Sequence, residues 1–337
     1  MAISGELAAA EEGLGERGGL VEPVAGRSPT QIALERLRKD KVAVVCGAVV
    51  ALLVLLALFA PLICNALNIY PDASDPRALD PVEALESDGY PAIGPPFHGF
   101  TWEHPLGIAP STATDNLARL LYGLRTSLGV AVAATVITTL IGVTLGLIAG
   151  FSRGWPDRGI SFLIDLLLSF PLILGALSVA PIVVSHFQND VNGLGRAQVL
   201  ALIAVLVVFG WMGLARLIRG QVLSLREREF ILAAEVIGVP TRQILFKELL
   251  PNLVAPLVIA ISLALPGFVA AEAGLSFLGL GLSGVPSLGT MIEDATGYVD
   301  LYPLYLWAPV LTVAVLVLAL NLLGDSIRDA FDPRTRR

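Results

Sequence analysis

The sequence predicts an all-α protein that crosses a membrane six times. Three observations carry the prediction: six apolar runs of spanning length, few charged residues, and Lys and Arg gathered on one side of the runs. Hydrophobic residues make up 55% of the chain and charged ones 15%, against about a quarter charged in soluble domains. A hydrocarbon core about 30 Å thick needs roughly 20 apolar residues in a helix. Each run meets that length.

Residues 1–41 form an N-terminal tail whose first 30 residues are rich in Gly and Glu and lack apolar periodicity, a composition that predicts disorder. The first span, VAVVCGAVVALLVLLALFAPLIC, covers 42–64 and lies too deep for an ordinary cleavable signal peptide. Its Cys46 and Cys64 are 18 residues apart, about 27 Å along a helix at about 1.5 Å per residue. On one helix they cannot pair, and apolar packing is their expected role. Residues 65–126 follow as a long outer segment with Pro, Asp and Gly throughout. It reads as a small cap or docking surface, with an unstructured linker as the alternative.

The core, 127–324, holds the remaining five spans. The second is SLGVAVAATVITTLIGVTLGLIAGF, 127–151. The third, Ile160 to Val184, contains Asp165 and Pro171. The fourth runs from Val199 to Ile218, and the fifth from Leu253 to Leu278 with Pro266 and Glu272 inside. The sixth, LYLWAPVLTVAVLVLALNLLG, covers 304–324 and leaves a tail at 325–337.

Loop charge orients the spans. With the N-terminus in the cytoplasm, segments 1–41, 152–159, 219–251 and 325–337 carry 17 Lys and Arg. The outer segments 65–126, 185–198 and 281–303 carry four, Arg77, Arg119, Arg125 and Arg196, together with 12 Asp and Glu. Both termini are therefore expected inside, and the formal charge of -7 partly reflects an acidic outer face.

The inner loop 219–251 reads as a helix-turn-helix. From Glu227 to Ile237 the residues favour a helix, with Phe230, Ala233, Ala234 and Ile237 spaced onto one face. Gly238 is placed to end that helix in the left-handed region. Pro240 blocks continuation, and Thr241 can cap a second helix carrying Ile244, Leu245, Leu249 and Leu250 towards Pro251. The small face at Ala233 and Ala234 admits close approach by a partner. Lying flat on the membrane interface is the competing reading.

The chain has no Gly-x4-Gly-Lys-Ser/Thr phosphate loop, and none of its three lysines, Lys39, Lys41 and Lys247, follows a glycine. If ATP drives transport, a separate chain must bind it. An ion-coupled carrier needs intramembrane ionisable groups. Asp165 and Glu272, two acids without basic partners in the spacing, are the candidates for a proton relay, with helix–helix hydrogen bonding or pore lining as the plainer alternative. His98, His104 and His186 are all on the outer side and lack metal-site spacing. No catalytic set, metal site or nucleic-acid partner is expected.

EFILAAEVIGVPTRQILFKELLPN, 229–252, resembles the EAA motif of ABC-importer permeases, the short coupling helix that enters a cleft on the cytoplasmic ATPase. Ala233, Ala234, Gly238, Leu250 and Pro251 fit the family spacing, Glu235 lies among them, and Leu232 stands at the acidic position. Other segments resemble the C-type permease subunits of dipeptide, oligopeptide and nickel importers. They are AEAGLSFLGLGLSGVPSLGTMI at 271–292, with Leu288 in place of the usual Trp, and GDSIRDAFDPRTR at 324–336. HPLG at 104–107, ARLLYGLRTSL at 118–128 and FLIDLLLSFPLILGA at 162–176 also match, although PSTATDN replaces the expected Gly-Arg-Asp.

The resemblance implies the type I ABC importer permease fold, in a bacterial inner membrane. It implies a second homologous permease, two ATPase subunits binding ATP and Mg, and an extracytoplasmic binding protein. Ala233, Ala234, Glu235, Gly238, Leu250 and Pro251 would carry the coupling. Asp165, Glu272, Ser276 and Phe277 would stand near the pore or gate. The glycines of LSFLGLGLSG (Gly279, Gly281, Gly284) would turn the chain at the outer mouth. Di- or oligopeptides are the expected cargo, with nickel or another small solute as the alternative.

Overall fold

A computed structural model describes residues 29–72, 75, 77–95, 98–187, 191–280 and 285–331. The readings placed on residues 1–28, on Gly281 and Gly284, on the side chain of His186 and on the terminal DPRTR lie outside the described residues. Among those described, the chain is helical, and its only extended pairings are isolated bridges, Leu85 with Pro91 and Ile108 with Asp115.

Helix α1 (Pro29–Lys39) lies within the segment read as a tail and packs on the last helix, with Arg36 donating to the Ala330 carbonyl. Asp40 then caps α2 (Lys41–Leu67), accepting from the Val42 N–H at 2.9 Å. Asn68 ends α2 in the left-handed region. After the outer segment, which holds α3 (Pro81–Ala84), comes α4 (Asn116–Phe151), the longest helix described. α5 (Trp155–Leu168) and α6 (Leu172–Phe187) follow, then α7 (Val191–Gly210) and α8 (Met212–Leu225). The inner loop contributes α9 (Glu229–Val236). α10 (Val254–Leu275) continues into a π turn at Ser276–Leu280, and α11 (Leu288–Ala295) and α12 (Pro303–Phe331) complete the chain.

Among the described residues, five helices are long and apolar enough to cross a bilayer, Lys41–Leu67, Asn116–Phe151, Leu194–Leu225, Val254–Leu280 and Pro303–Phe331, and a bent pair would make a sixth if it counts as one span. The third run departs from the expected continuous span. Trp155–Leu168 and Leu172–Val179 meet at 81°. Pro171 is the cause, since it lacks an N–H and pushes the preceding residue away from helical dihedrals. The fourth run also differs from its expected limits. It continues past Ile218 to Leu225, so seven residues assigned to the inner loop are helix.

Helix α4 runs through the middle of the bundle because one side of it is nearly all small residues. A Cβ on Gly146 would stand 2.8 Å from the Ala215 carbonyl, and one on Gly150 would stand 2.7 Å from the Val222 Cβ. With Gly142 they form a small-x3-small stripe that lets two backbones meet where apolar burial adds little drive.

The outer segment packs around Ala84, Ile108 and Ala113 and is tied to the bundle by polar bonds. Asp115 caps α4 through the Ala118 N–H at 2.8 Å while its other oxygen holds His104 Nδ1 at 2.7 Å. Tyr302 donates to the Leu106 carbonyl at 2.6 Å, and Asn116 Nδ2 donates to that same carbonyl and to the Tyr302 oxygen, each at 3.1 Å. Gly107 takes φ 68, a conformation that suits glycine at this crowded corner.

Candidate functional site

The inner loop builds a short helix with a buried root and an exposed tip. α9 ends in a Schellman motif: Gly238 at φ 83 donates to the Glu235 carbonyl, and Val239 donates to that of Ala234. The root is Ile231, which packs with Val222, Ile244, Leu249 and Leu253. The tip is Val236 and Ile237, 88% and 80% exposed. Ala233, Glu235 and Gly238 are exposed beside them and Ala234 is half-buried.

Two details of the expected helix-turn-helix change. Ile231 takes the inward face, so Phe230, Ala233 and Ile237 look outward, with Ala234 between. Thr241 is not the cap of the second helix. The Pro240 carbonyl accepts from Gln243 at 2.8 Å and Ile244 at 3.1 Å, so Thr241 is already helical. Ile244–Leu249 winds as a π turn ahead of Leu250 and Pro251, where Pro251 has no N–H to offer an α register. Leu250 is half-buried in the root cluster and Pro251 is exposed. Arg219 braces the base with a two-pronged bond to Asp157 at 2.7 and 3.3 Å, and Arg226 donates to the Gly150 carbonyl at 3.2 Å.

Asp165, Glu272, Ser276 and Phe277 do not converge on one point. Asp165, read as lacking a basic partner, is ion-paired with Arg216 of α8. That partner sits 51 residues away, which spacing alone does not reveal. Glu272 has no exposed surface, and its Oε1 accepts from the buried Ser276 hydroxyl at 2.9 Å. Phe277 is exposed, and Gly279 beyond it takes φ 72.

Two further features have no counterpart among the sequence candidates. A notch of about 260 Å³ lies between α4, the α7–α8 junction and α10, lined by Thr138, Thr139, Gly210, Leu214, Gly267 and Phe268. A Cβ on Gly210 would reach within 2.7 Å of the Phe268 ring, so glycine sets how deep the notch is. At the end of the bundle that carries the 65–126 segment, a cavity of about 880 Å³ opens between the end of α2, that segment and α11.

Acids and arginines line that outer cavity in pairs. Arg77 grips Asp75 at 3.0 and 2.9 Å, and Arg119 joins Asp294 while donating to the Tyr305 hydroxyl at 2.7 Å. The Arg77 guanidinium holds the Asp75 carboxyl below the usual range. Burial, and then the neighbouring Asp294, pushes Glu293 up. Burial likewise pushes the Tyr302 phenol up to about 12. Two of the four arginines that the loop-charge count assigns to the outer segments thus meet acids here, which that count could have flagged.

Comparison with known proteins decides the family. The model of binding-protein-dependent transport system inner membrane components matches residues 142–337, and that of the N-terminal membrane domain of oligopeptide transport permease C matches 28–81. The chain belongs to the binding-protein-dependent inner membrane permeases. The permease is 33% identical over 314 residues to the dipeptide transport system permease protein DppC of Alkalihalophilus pseudofirmus, covering 92% of this chain and 91% of that protein. It is 38% identical over 223 residues to the oligopeptide transport system permease protein OppC of Mycobacterium tuberculosis, covering 66% and 73%. It is also 33% identical to the glutathione transport system permease protein GsiD of Pectobacterium atrosepticum, covering 92% and 93%. Among solved structures, the MetNI methionine ABC transporter in an inward-facing conformation matches with a TM-score of 0.51 at 21% identity, over 64% of this chain and 96% of that one. That likeness is one of fold. The permease is thus a multi-pass subunit of a bacterial ABC transporter of the C-type branch.

Proposed function

We propose that the permease forms half of the pore of an ATP-driven importer of di- or oligopeptides. A second homologous permease supplies the other half, because six spans are few for a peptide-wide path. An extracytoplasmic binding protein delivers cargo to the outer face. Two cytoplasmic ATPase subunits bind ATP and Mg and drive the cycle, with both termini of the permease on their side of the inner membrane.

One observation carries this reading: the exposed apolar tip of α9, Val236 and Ile237, stands on a packed root in the loop where the positive charges gather. An apolar knob of this kind needs a cleft to cover it, and the EAA-like spacing supports an ATPase as the owner of that cleft. Motion of α9 reaches the spans through Ile231, Val222 and Leu253, which share one cluster. The notch at Thr138 and Phe268 and the outer cavity are the segments of the path this half contributes. The peptide cargo rests on the names of the relatives. Ion-coupled transport through Asp165 and Glu272 loses support because Asp165 already has a basic partner in Arg216.

The test is co-purification of the tagged permease in mild detergent, as wild type and as Val236→Asp and Ile237→Asp. Wild type is expected to bring down a second permease and two ATPases, and either variant to keep the permease partner while losing the ATPases. A wild-type chain that purifies alone and moves solute under an ion gradient in liposomes would overturn the reading.

A further inference from the structure

Asp165 and Arg216 form an ion pair between α5 and α8, within the bent pair of helices and the Leu194–Leu225 span. Their side chains are 67% and 58% exposed. The other pair joining these two helices, Asp157 with Arg219, is only 24% and 30% exposed, as suits a brace. An ionised carboxylate against lipid is costly, and charges within spans face protein or water instead. An arginine stem can carry its charge towards the membrane surface. The short Asp165 side chain cannot, and Phe162 and Leu166 stand exposed beside it.

The face of α8 around Arg216 has the same character. Gly213 and Gly220, one turn to either side, are exposed, and a Cβ on either would meet nothing within 4 Å. Gln221 and Ser224 continue the exposed stripe, in which Leu217 is the one large apolar residue. By contrast, α2 exposes Leu52, Leu55, Leu58 and Leu62, as a lipid-facing helix does. The opposite side of α8 carries Val222, which packs with Ile231 beneath α9. Val222 is six positions from Arg216, about 9 Å along a helix at about 1.5 Å per residue. The exposed ion pair therefore sits towards the α9 end of the bundle.

We propose that this face lines a water-filled stretch of the cargo path near α9, and that Asp165 and Arg216 are a specificity-determining pair that lets peptides of either charge pass. Paired, the two present no net charge to the path. A lone charge there would hold peptides of opposite sign and repel those of its own, whereas a conducting path must release its cargo as readily as it admits it. The peptide cargo rests on the importer reading; the contact of this face with water does not.

Two measurements test it. In the first, the complex in liposomes, with ATP and saturating binding protein, is given tripeptides with Lys, Glu or Ala in the middle position. Arg216→Gln is expected to raise the ratio of Lys-peptide to Glu-peptide uptake about fivefold over wild type, and Asp165→Asn to lower it about fivefold. That change equals about 1 kcal/mol, the size of one unit-charge interaction across about 4 Å of water. The charge swap, Asp165→Arg with Arg216→Asp, is expected to return the ratio to the wild-type value. Unchanged ratios, or a loss of uptake equal for all three peptides, would reduce the pair to a helix brace and overturn the proposal. In the second, Gly213→Cys is expected to react with a membrane-impermeant maleimide in inverted vesicles without nucleotide, against the buried Cys46 and Cys64. A thiol that stays unreacted, or reacts only in the permease stripped of its partners, would put lipid or a second permease on this face and overturn the proposal. If wild type shows no binding-protein-dependent uptake, the importer reading fails, while the labelling still decides whether the face meets water.

Discussion

Tyr302 uses one hydroxyl for two bonds, donating to the Leu106 carbonyl and accepting from Asn116. Both partners belong to the junction between cap and bundle, so Tyr302→Phe is expected to loosen the cap by about 1–3 kcal/mol, the cost of leaving a buried polar group unpaired. Faster proteolysis within residues 77–95 in detergent would report it; an unchanged cleavage rate would say the junction stands without the hydroxyl. Asp40 offers a pH test at the other face. The Ser326 hydroxyl, followed by the Val42 N–H, holds its carboxyl below the ordinary 3.8. A carboxyl lowered by folding stabilises the fold above its unfolded value, and that contribution disappears as pH falls through the folded value. Ser326→Ala is expected to raise the Asp40 titration towards the ordinary value, read by carboxyl NMR, and to narrow that acid window.

Between α4 and α8 the contact depends on what is missing from Gly142, Gly146 and Gly150. Gly146→Val would drive two methyls against Ala215 and Ile218, an overpacking that costs about 1–3 kcal/mol in a tight core. The expected result is a lower unfolding midpoint in detergent, with Gly129→Val as a control because nothing lies within 4 Å of a Cβ there. A chain unaffected by Gly146→Val would mean α4 and α8 can separate freely. In α9, the positive φ of Gly238 predicts that Gly238→Ala strains the turn by about 1–2 kcal/mol, while Gly238→Asn is milder because Asn tolerates that conformation. Limited proteolysis at the loop would rank the two.

Over the whole molecule, the orientation is open to direct chemical test. A single cysteine at Val82 is expected to react with a membrane-impermeant maleimide in intact cells, and one at Val236 only in inverted vesicles. Cys46 and Cys64 are buried and give little background. The reverse pattern would turn the protein over and place α9 out of reach of any ATPase. The apolar runs were legible as spans because hydrophobic length is local, and Gly238 was legible as a helix end because few residues accept its dihedrals. The break in the third run was not, although Pro171 stood in plain view, because proline permits a kink without stating its angle.

Membrane residence, the number of apolar runs, the charge asymmetry and the family motifs were all determined by the sequence by itself, since each depends on neighbours along the chain. Which acid meets which partner was decided only in three dimensions. Asp165 finds Arg216, Asp294 finds Arg119, and Ile231 rather than Phe230 turns inward. The physical reason is that a buried polar group must be satisfied by whatever the packing brings to it, and helices joined by long connections bring residues together that no local spacing announces.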